Sequence, residues 1–130
     1  DSMDYQLKIP DSILAMAQLE PSPKTLTVSE KALRKHMHKH HHANCLDYVT
    51  RIPEMIAHPD FVGRNRRVDQ PSFECIKCYR DNILLAVKLA KKEGHYYVAS
   101  LYEVTDDKLE SMQRSGRIRR LDSPSSRVVK

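Results

Sequence analysis

Five of the seven histidines in this 130-residue chain lie within residues 36–42, in the segment His-Met-His-Lys-His-His-His. Imidazole suits proton transfer near neutral pH, and it is also the side chain that most often binds metal ions in proteins. The segment is internal and is interrupted by Met37 and Lys39, whereas an affinity tag usually stands at a terminus. The histidines therefore indicate a site for acid–base catalysis or for a metal ion.

A helix that would carry these histidines is predicted over residues 28–41. Thr27 and Glu30 have the spacing of a capping box, in which each side chain satisfies a free backbone amide of the other residue. An apolar stripe at helical spacing follows, formed by Ala32, Leu33 and Met37. We expect this stripe to pack against the rest of the fold.

Helical phase divides the histidines into two groups. His36, His40 and His41 border the apolar stripe, so they are the candidates for a functional site. His38 and His42 lie away from the stripe, and we expect them to face water.

A zinc site is one interpretation of these residues. His36 and His40 have the spacing of two ligands on one helical face, and Cys75 and Cys78 would supply two thiolates. However, the cysteines lie in a predicted strand, where residues three apart point to opposite faces. Two small buried thiols are therefore favoured, and we predict neither a metal ion nor a cofactor.

Charge and cysteine content indicate the partner and the compartment. The formal net charge is +5 and the pI is about 9.2, and a small basic domain most often binds an anion such as nucleic acid. The three cysteines fit no disulfide framework and favour a reducing compartment. No stretch approaches the ~18 apolar residues of a membrane span, so we expect no membrane partner.

The pattern of elements predicts one domain with helices first and strands after them. Period-two alternation predicts strands at residues 73–79, 83–89 and 96–104. A helix over residues 106–114 and a short edge strand at 117–120 follow. We therefore predict an α+β domain, with N-terminal helices packed on a twisted antiparallel sheet of about four strands.

The ends of the chain are assigned separately from this domain. Residues 1–24 are predicted to form an N-terminal extension, and residues 25–121 the domain itself. Residues 122–130 are polar, rich in serine and without periodicity, which predicts a flexible tail.

Cleavage of RNA without a metal ion is a reaction that such residues can perform. The 2′-hydroxyl attacks the adjacent phosphate, which needs a base for the hydroxyl, cations for the phosphoryl oxygens and an acid for the departing oxygen. Besides the histidines, the candidates for these tasks are Lys77, Ser100, Tyr102 and Arg117. Ser100 and Tyr102 share one face of their predicted strand.

Two arginine clusters in predicted loops suit contacts with RNA phosphates. They comprise Arg64, Arg66 and Arg67 in the first cluster, and Arg117, Arg119 and Arg120 in the second.

The order of several segments resembles one known family. In the N-terminal half these are Leu-Arg-Lys-His at 33–36 running into His-His at 40–41, Ile-Pro-Glu-Met-Ile at 52–56 and Pro-Asp-Phe-Val-Gly at 59–63. In the C-terminal half they are Ile-Leu-Leu-Ala-Val-Lys at 83–88, Tyr-Val-Ala-Ser-Leu-Tyr-Glu-Val at 97–104 and Ser-Gly-Arg-Ile at 115–118. This order is similar to that of the phage-associated barnase–EndoU–colicin–RelE-like (BECR) nucleases, small toxin-like ribonucleases, over about residues 25–121.

The resemblance implies the barnase-like fold described above and a metal-independent cleavage of RNA that leaves a 2′,3′-cyclic phosphate. The helix histidines of the family map onto His36 and onto His40 or His41, and the Ser-Gly-Arg match makes Arg117 the phosphate-binding candidate. Members are often phage-carried or toxin domains. The resemblance therefore implies RNA and an antitoxin or immunity protein as partners, in the cytoplasm of a bacterium or a phage-infected host.

The leading hypothesis is an endoribonuclease with His36 and His40 as its acid–base pair, and with Arg117 binding the phosphate with help from Tyr102 and Ser100. One alternative is a non-catalytic domain of the same fold that binds RNA or another protein. Another is a zinc-stabilised module. Cleavage of RNA in the presence of a chelator would separate the first hypothesis from the other two.

Overall fold

The computed structural model describes residues 4–121. Four α-helices are present in this range: α1 (Asp11–Met16), α2 (Glu30–Lys39), α3 (Ile52–Ala57) and α4 (Asp106–Arg114). A 3-10 helix (Ala43–Arg51) joins α2 to α3. The strands are β1 (Asp4–Lys8), β2 (Thr25–Ser29), β3 (Phe61–Gly63), β4 (Ser72–Cys78), β5 (Asn82–Ala90), β6 (His95–Val104) and β7 (Ile118–Arg120).

All seven strands belong to one mixed sheet, in the order β1-β2-β6-β5-β4-β3-β7. β2 and β6 pair in parallel, and every other neighbouring pair is antiparallel. The prediction of N-terminal helices on an antiparallel sheet of about four strands is therefore wrong, although the domain is still of the α+β class.

Strand β2 includes Thr27, Val28 and Ser29, where the sequence predicts the cap and the first residues of a helix. Leu26 and Val28 are buried and alternate with half-buried Thr27 and Ser29, which is the period of a strand. Helix α2 begins only at Glu30 and has no side-chain cap. The capping-box interpretation is wrong because the burial of alternate residues in the sheet outweighs a local capping interaction.

Strand β3 was also not predicted. Its three residues, Phe61 to Gly63, are all buried and pair with β4 on one side and with β7 on the other. Three residues are too few to show a periodicity, so only the tertiary pairing defines this strand.

One face of the sheet carries the main hydrophobic core. Phe73, Cys75, Leu85 and Leu101 from the central strands are buried there together with apolar residues of α1, α2, α3 and the 3-10 helix. A smaller cluster on the opposite face packs under α4, and it includes Ile76, Leu84, Met112 and Ile118. This cluster covers only one end of the second face, and polar side chains lie on the rest of that face.

On the side away from β5, the C-terminal half of β6 has helix α2 beside it, and not a strand. The pairing of β2 with β6 covers only two residue pairs, Leu26 with Tyr96 and Thr27 with Tyr97. The chain then turns into α2, which buries Leu33 and Met37 in the main core. The histidines of α2 are thereby carried to the edge of the polar part of the second face.

The first residues of the chain join the same sheet. β1 pairs with β2 over five residue pairs, and Ile13 and Leu14 of α1 are buried in the main core. The proposed division after residue 24 stays a prediction, and the predicted tail at 122–130 lies outside the described residues. Within the described part of the chain, no helix is long and apolar enough to cross a membrane.

The close approach of β3 to the start of β7 depends on Gly63. A Cβ atom at this position would overlap the backbone of Arg117 and Ile118. We expect Gly63→Ala to lower the free energy of unfolding by about 2–3 kcal/mol. The added methyl group would clash with backbone atoms, which cannot move aside as the end of a flexible side chain can. Urea unfolding measures this change.

Gly94→Ala is the matched control, since nothing lies within 4 Å of its added methyl group. Its φ of +75° makes the change only mildly unfavourable, by about 1 kcal/mol. A loss at Gly63 no larger than the loss at Gly94 would contradict the assigned role of the close approach.

Candidate active site

The polar part of the second sheet face forms the floor of a cleft. Its centre is a cavity of about 240 Å³, here called the central lobe. The polar side chains that line it include His36, Glu74, Lys88, Ser100 and Tyr102. They come from α2 and from three neighbouring strands, so the lobe collects residues that are far apart in the chain.

The strand register explains why these side chains meet. Glu74, Ala86 and Ser100 stand opposite one another on β4, β5 and β6. The register between β5 and β6 shifts next to Ala86. Residues paired in this way point to one face of a sheet, and Tyr102, two residues after Ser100, points to the same face.

Glu74 and Arg117 form a two-pronged ion pair at the edge of the central lobe. The Nε and Nη2 atoms of Arg117 each donate a hydrogen bond of 2.7 Å to a different carboxylate oxygen of Glu74. The side chain of Glu74 is 4 % exposed and that of Arg117 is 24 % exposed. Hydrogen bonding to Glu74 raises the pKa of Arg117.

This pair fixes the orientation of the Arg117 guanidinium. A guanidinium has five N–H donors in one plane, and Glu74 occupies two of them. The remaining donors are held in a fixed direction, and this arrangement suits the oxygens of a phosphate.

Tyr102 lies beside this pair in the central lobe. Burial raises the pKa of its hydroxyl, the charge of Glu74 raises that pKa further, and Arg117 lowers it in part. The hydroxyl therefore keeps its proton at neutral pH and is able to donate it.

His36 is the histidine of α2 that lines the central lobe. Burial lowers the pKa of its imidazole, and the neighbouring basic side chains of His40, His42, Lys39 and Lys88 lower it further. A larger share of His36 is therefore neutral at pH 7, which is the form that accepts a proton.

The other predicted histidines lie outside the central lobe. The ring of His40 stacks on His36 with a centroid distance of 4.3 Å, but His40 is exposed and does not line the lobe. His41 is also exposed, and its φ of 62° places it in the left-handed region. The catalytic roles of His40 and His41 stay predictions.

His42 does not face water as expected. The backbone N–H of His42 donates to the carbonyl of Met37 and that of His41 donates to the carbonyl of His38, which with the left-handed His41 is a Schellman ending of the helix. The turn places the His42 ring against Tyr102, with a centroid distance of 5.3 Å. Helical phase fails here because the helix ends at Lys39.

The first arginine cluster lies next to the central lobe. Arg64, Arg66, Arg67 and Arg117 line a cavity of about 320 Å³, together with Lys108. Asn65 lines both this cavity and the central lobe, so the two are adjacent. We call this region the basic surface.

The remaining predicted RNA-binding residues lie at different places. Arg119 lines a neighbouring cavity that also involves Arg64 and Arg117. The guanidinium of Arg120 stacks over the ring of Phe61, 4.6 Å from its centroid. Lys77 does not line the cleft, since its Nζ atom donates to the carbonyl of His58 at 2.7 Å.

The two cysteines of the zinc interpretation point apart, as strand geometry predicts. Cys75 is buried in the main core, where burial raises the pKa of its thiol, and Cys78 is exposed. Among residues 4–121, no three side chains of His, Cys, Asp or Glu come together in a way that could hold a metal ion.

Glu74, Lys88 and His42 are the residues that sequence reasoning missed. Glu74 is a charged residue inside an otherwise uncharged stretch of strand, flanked by buried Phe73 and Cys75. A charge in that position is unfavourable unless it is paired, and this signal could have singled it out. Lys88 carries the same signal, because it is the one charged residue in the apolar segment 83–90, whereas no comparable local signal distinguishes His42.

Comparison with protein families identifies the family to which this chain belongs. Residues 8–111 match the family model described as phage-Barnase-EndoU-ColicinE5/D-RelE like nuclease3. The chain is thus a phage-associated nuclease by class, and it belongs to this family. The matched range includes His36, Glu74 and Tyr102 and ends before Arg117. No curated protein and no solved structure matched the chain.

The buried ion pair should contribute strongly to stability. We expect Glu74→Gln to lower the free energy of unfolding by about 2–3 kcal/mol, because it leaves the half-buried charge of Arg117 without its partner. The control is Glu110→Gln, which removes an exposed ion pair to Arg114 and should cost less than about 0.5 kcal/mol. Equal losses in urea unfolding would contradict the role given to the pair.

Proposed function

We propose that this protein is an endoribonuclease that cleaves RNA by attack of the 2′-hydroxyl on the adjacent phosphate. One observation carries the proposal: His36, whose pKa is lowered, and Lys88 line a cleft at whose edge Glu74 holds the guanidinium of Arg117, in a chain of a nuclease family. These are the base and the cations that the reaction needs.

His36 acts as the base. It takes the proton from the 2′-hydroxyl while that oxygen forms a bond to phosphorus. The bond between phosphorus and the 5′-oxygen breaks, and a 2′,3′-cyclic phosphate remains. Its lowered pKa supports this role, since the neutral imidazole must be present before it can accept a proton.

Arg117 and Lys88 stabilise the charge on the phosphoryl oxygens. Lys88 lines the central lobe, and Arg117 is held at its edge by Glu74. Fixed donors need no reorganisation when charge develops, which is why such groups accelerate phosphoryl transfer.

Tyr102 donates the proton that the departing 5′-oxygen takes up. Support comes from its place in the same lobe as His36 and from its raised pKa, which keeps the proton in place until it is needed. The pairing of His36 with His40 stays a second candidate, favoured by their stacked rings. Comparison of Tyr102→Phe with His40→Ala distinguishes the two.

The basic surface binds the RNA that extends from the cleft. It adjoins the central lobe through Asn65 and presents Arg64, Arg66, Arg67 and Lys108. Contacts of this kind neutralise phosphates without reading the sequence, so they position the strand and make binding depend on salt.

His36→Ala and Arg117→Ala test the proposal directly. We expect kcat/KM for RNA cleavage in EDTA to fall about 10²- to 10⁴-fold for His36→Ala and about 10²- to 10³-fold for Arg117→Ala. His38→Ala is the control, because His38 is exposed on the same helix and lines no part of the central lobe. Unchanged cleavage by both test variants would refute these assignments. Salt-dependent RNA binding without any cleavage would favour the non-catalytic alternative.

The rate of cleavage should depend on pH in a defined direction. Below its pKa His36 is protonated and cannot act as base, and since that pKa is lowered, the acidic limb of kcat/KM should lie below pH 6.5. The basic limb should lie above pH 10, because the pKa of Tyr102 is raised. Steady-state rates across this range measure both limbs. An acidic limb at or above pH 6.5 would contradict the role of His36.

A further inference from the structure

A second cavity opens from the same cleft, between α2 and the paired ends of β2 and β6. Its volume is about 450 Å³, and we call it the side lobe. This volume lies within the ~300–1,000 Å³ that is usual for sites that bind small molecules. His36 and Lys88 line both the side lobe and the central lobe. A group bound in the side lobe is therefore next to the proposed reaction centre.

The walls of the side lobe combine an aromatic ring, apolar side chains and hydroxyl groups. Tyr97 is half-buried on its floor, and Leu33 and Val98 are apolar neighbours. Thr27 and Ser29 add the hydroxyls. A nucleobase matches this chemistry, because it has flat faces for stacking and an edge for hydrogen bonds.

The Tyr97 ring is held in place from its far end. The amide nitrogen of Gln70 donates to the Tyr97 hydroxyl at 3.4 Å and to the carbonyl of Leu89 at 3.3 Å. A ring anchored in this way is a fixed platform, so little conformational entropy is lost when a base stacks on it.

The hydroxyl of Thr27 has no hydrogen-bond partner among residues 4–121. Its Oγ1 atom is buried and makes no hydrogen bond, and such groups are rare in proteins because burial without a partner is unfavourable. Rotation about χ1 to another staggered conformer moves the hydroxyl to the position that the methyl group or the hydrogen now occupies. The hydroxyl is thus available to a ligand in the side lobe.

The other unsatisfied groups lie around the same cleft. Among residues 4–121, three buried polar side-chain atoms lack a partner: Thr27 Oγ1, Ser72 Oγ and His42 Nδ1. Ser72 lines the central lobe, and His42 packs against Tyr102. Unpaired polar atoms that gather at one cleft indicate that a polar ligand completes it.

From these contacts we infer that the side lobe binds the base of a nucleotide next to the cleaved phosphate, with Tyr97 as the stacking platform and Thr27 as a hydrogen-bonding group. The inference rests on the proposed ribonuclease function and adds the class of substrate to it. A base in this lobe has its face and edge covered by protein, so it must be unpaired. The substrate is accordingly single-stranded RNA.

Binding of RNA that cannot be cleaved tests the inference separately from catalysis. The probes are short 2′-O-methyl RNA oligonucleotides, one homopolymer for each base, and the same backbones without bases. We expect Tyr97→Ala to weaken binding of the base-containing probes about tenfold or more, and Thr27→Val to weaken binding of at least one of the four homopolymers about three- to tenfold. Neither variant should change binding of the backbone without bases. Fluorescence anisotropy measures these affinities.

Thr25→Val is the matched control, since Thr25 is a half-buried threonine of the same strand that does not line the side lobe. Thr27→Val should not lower the melting temperature, because it removes a hydroxyl that has no partner. Lost binding is therefore not explained by lost folding.

Two results would overturn the inference: equal affinity for probes with and without bases, or unchanged binding by both Thr27→Val and Tyr97→Ala. Failure of the wild-type protein to cut any RNA refutes the proposed function instead. If the wild-type protein cuts no RNA but binds bases, and both variants lose that binding, the side lobe is still supported as a base-binding subsite.

Discussion

The ion pair between Glu74 and Arg117 is the interaction on which both the fold and the site depend. It joins the middle of β4 to the turn between α4 and β7, across 43 positions of sequence. The backbone of Arg117 is held as well, since its carbonyl accepts from the N–H of Arg64 and its N–H donates to the carbonyl of Met112. The contacts that attach the last strand therefore also orient the proposed phosphate-binding group.

Further basic residues add to this pair in the electrostatics of the cleft. Lys88 lines the central lobe, and Glu74 and Arg117 pair with each other at its edge, so the positive charge of Lys88 is not balanced by this pair. Burial lowers the pKa of His36, the neighbouring His40, His42, Lys39 and Lys88 lower it further, and both effects favour its neutral form. In the proposed function, an anionic substrate would meet cations and a neutral imidazole in the same place.

Local patterns predicted the part of the fold that local contacts control. The alternation in β4, β5 and β6 and the helix after Thr105, whose hydroxyl accepts from the N–H of Lys108, follow the sequence closely. β2 and β3 do not, because a five-residue strand can imitate a helix start and a three-residue strand has no period. The parallel pairing of β2 with β6 joins residues about 70 positions apart, which no short window of sequence reports.

The sequence by itself determined the basic character, the histidine-rich helix and the shared strand face of Ser100 and Tyr102, since charge and side-chain period are properties of neighbouring residues. Only the tertiary structure decided which histidine enters the cleft. His36 lines it, His40 stays outside, and His42 reaches Tyr102 through the turn that ends the helix. It also decided that Glu74 and Lys88 share that cleft. Burial, ion pairing and shifted pKa values depend on contacts between residues that are far apart in the chain. Local periodicity does not predict those contacts.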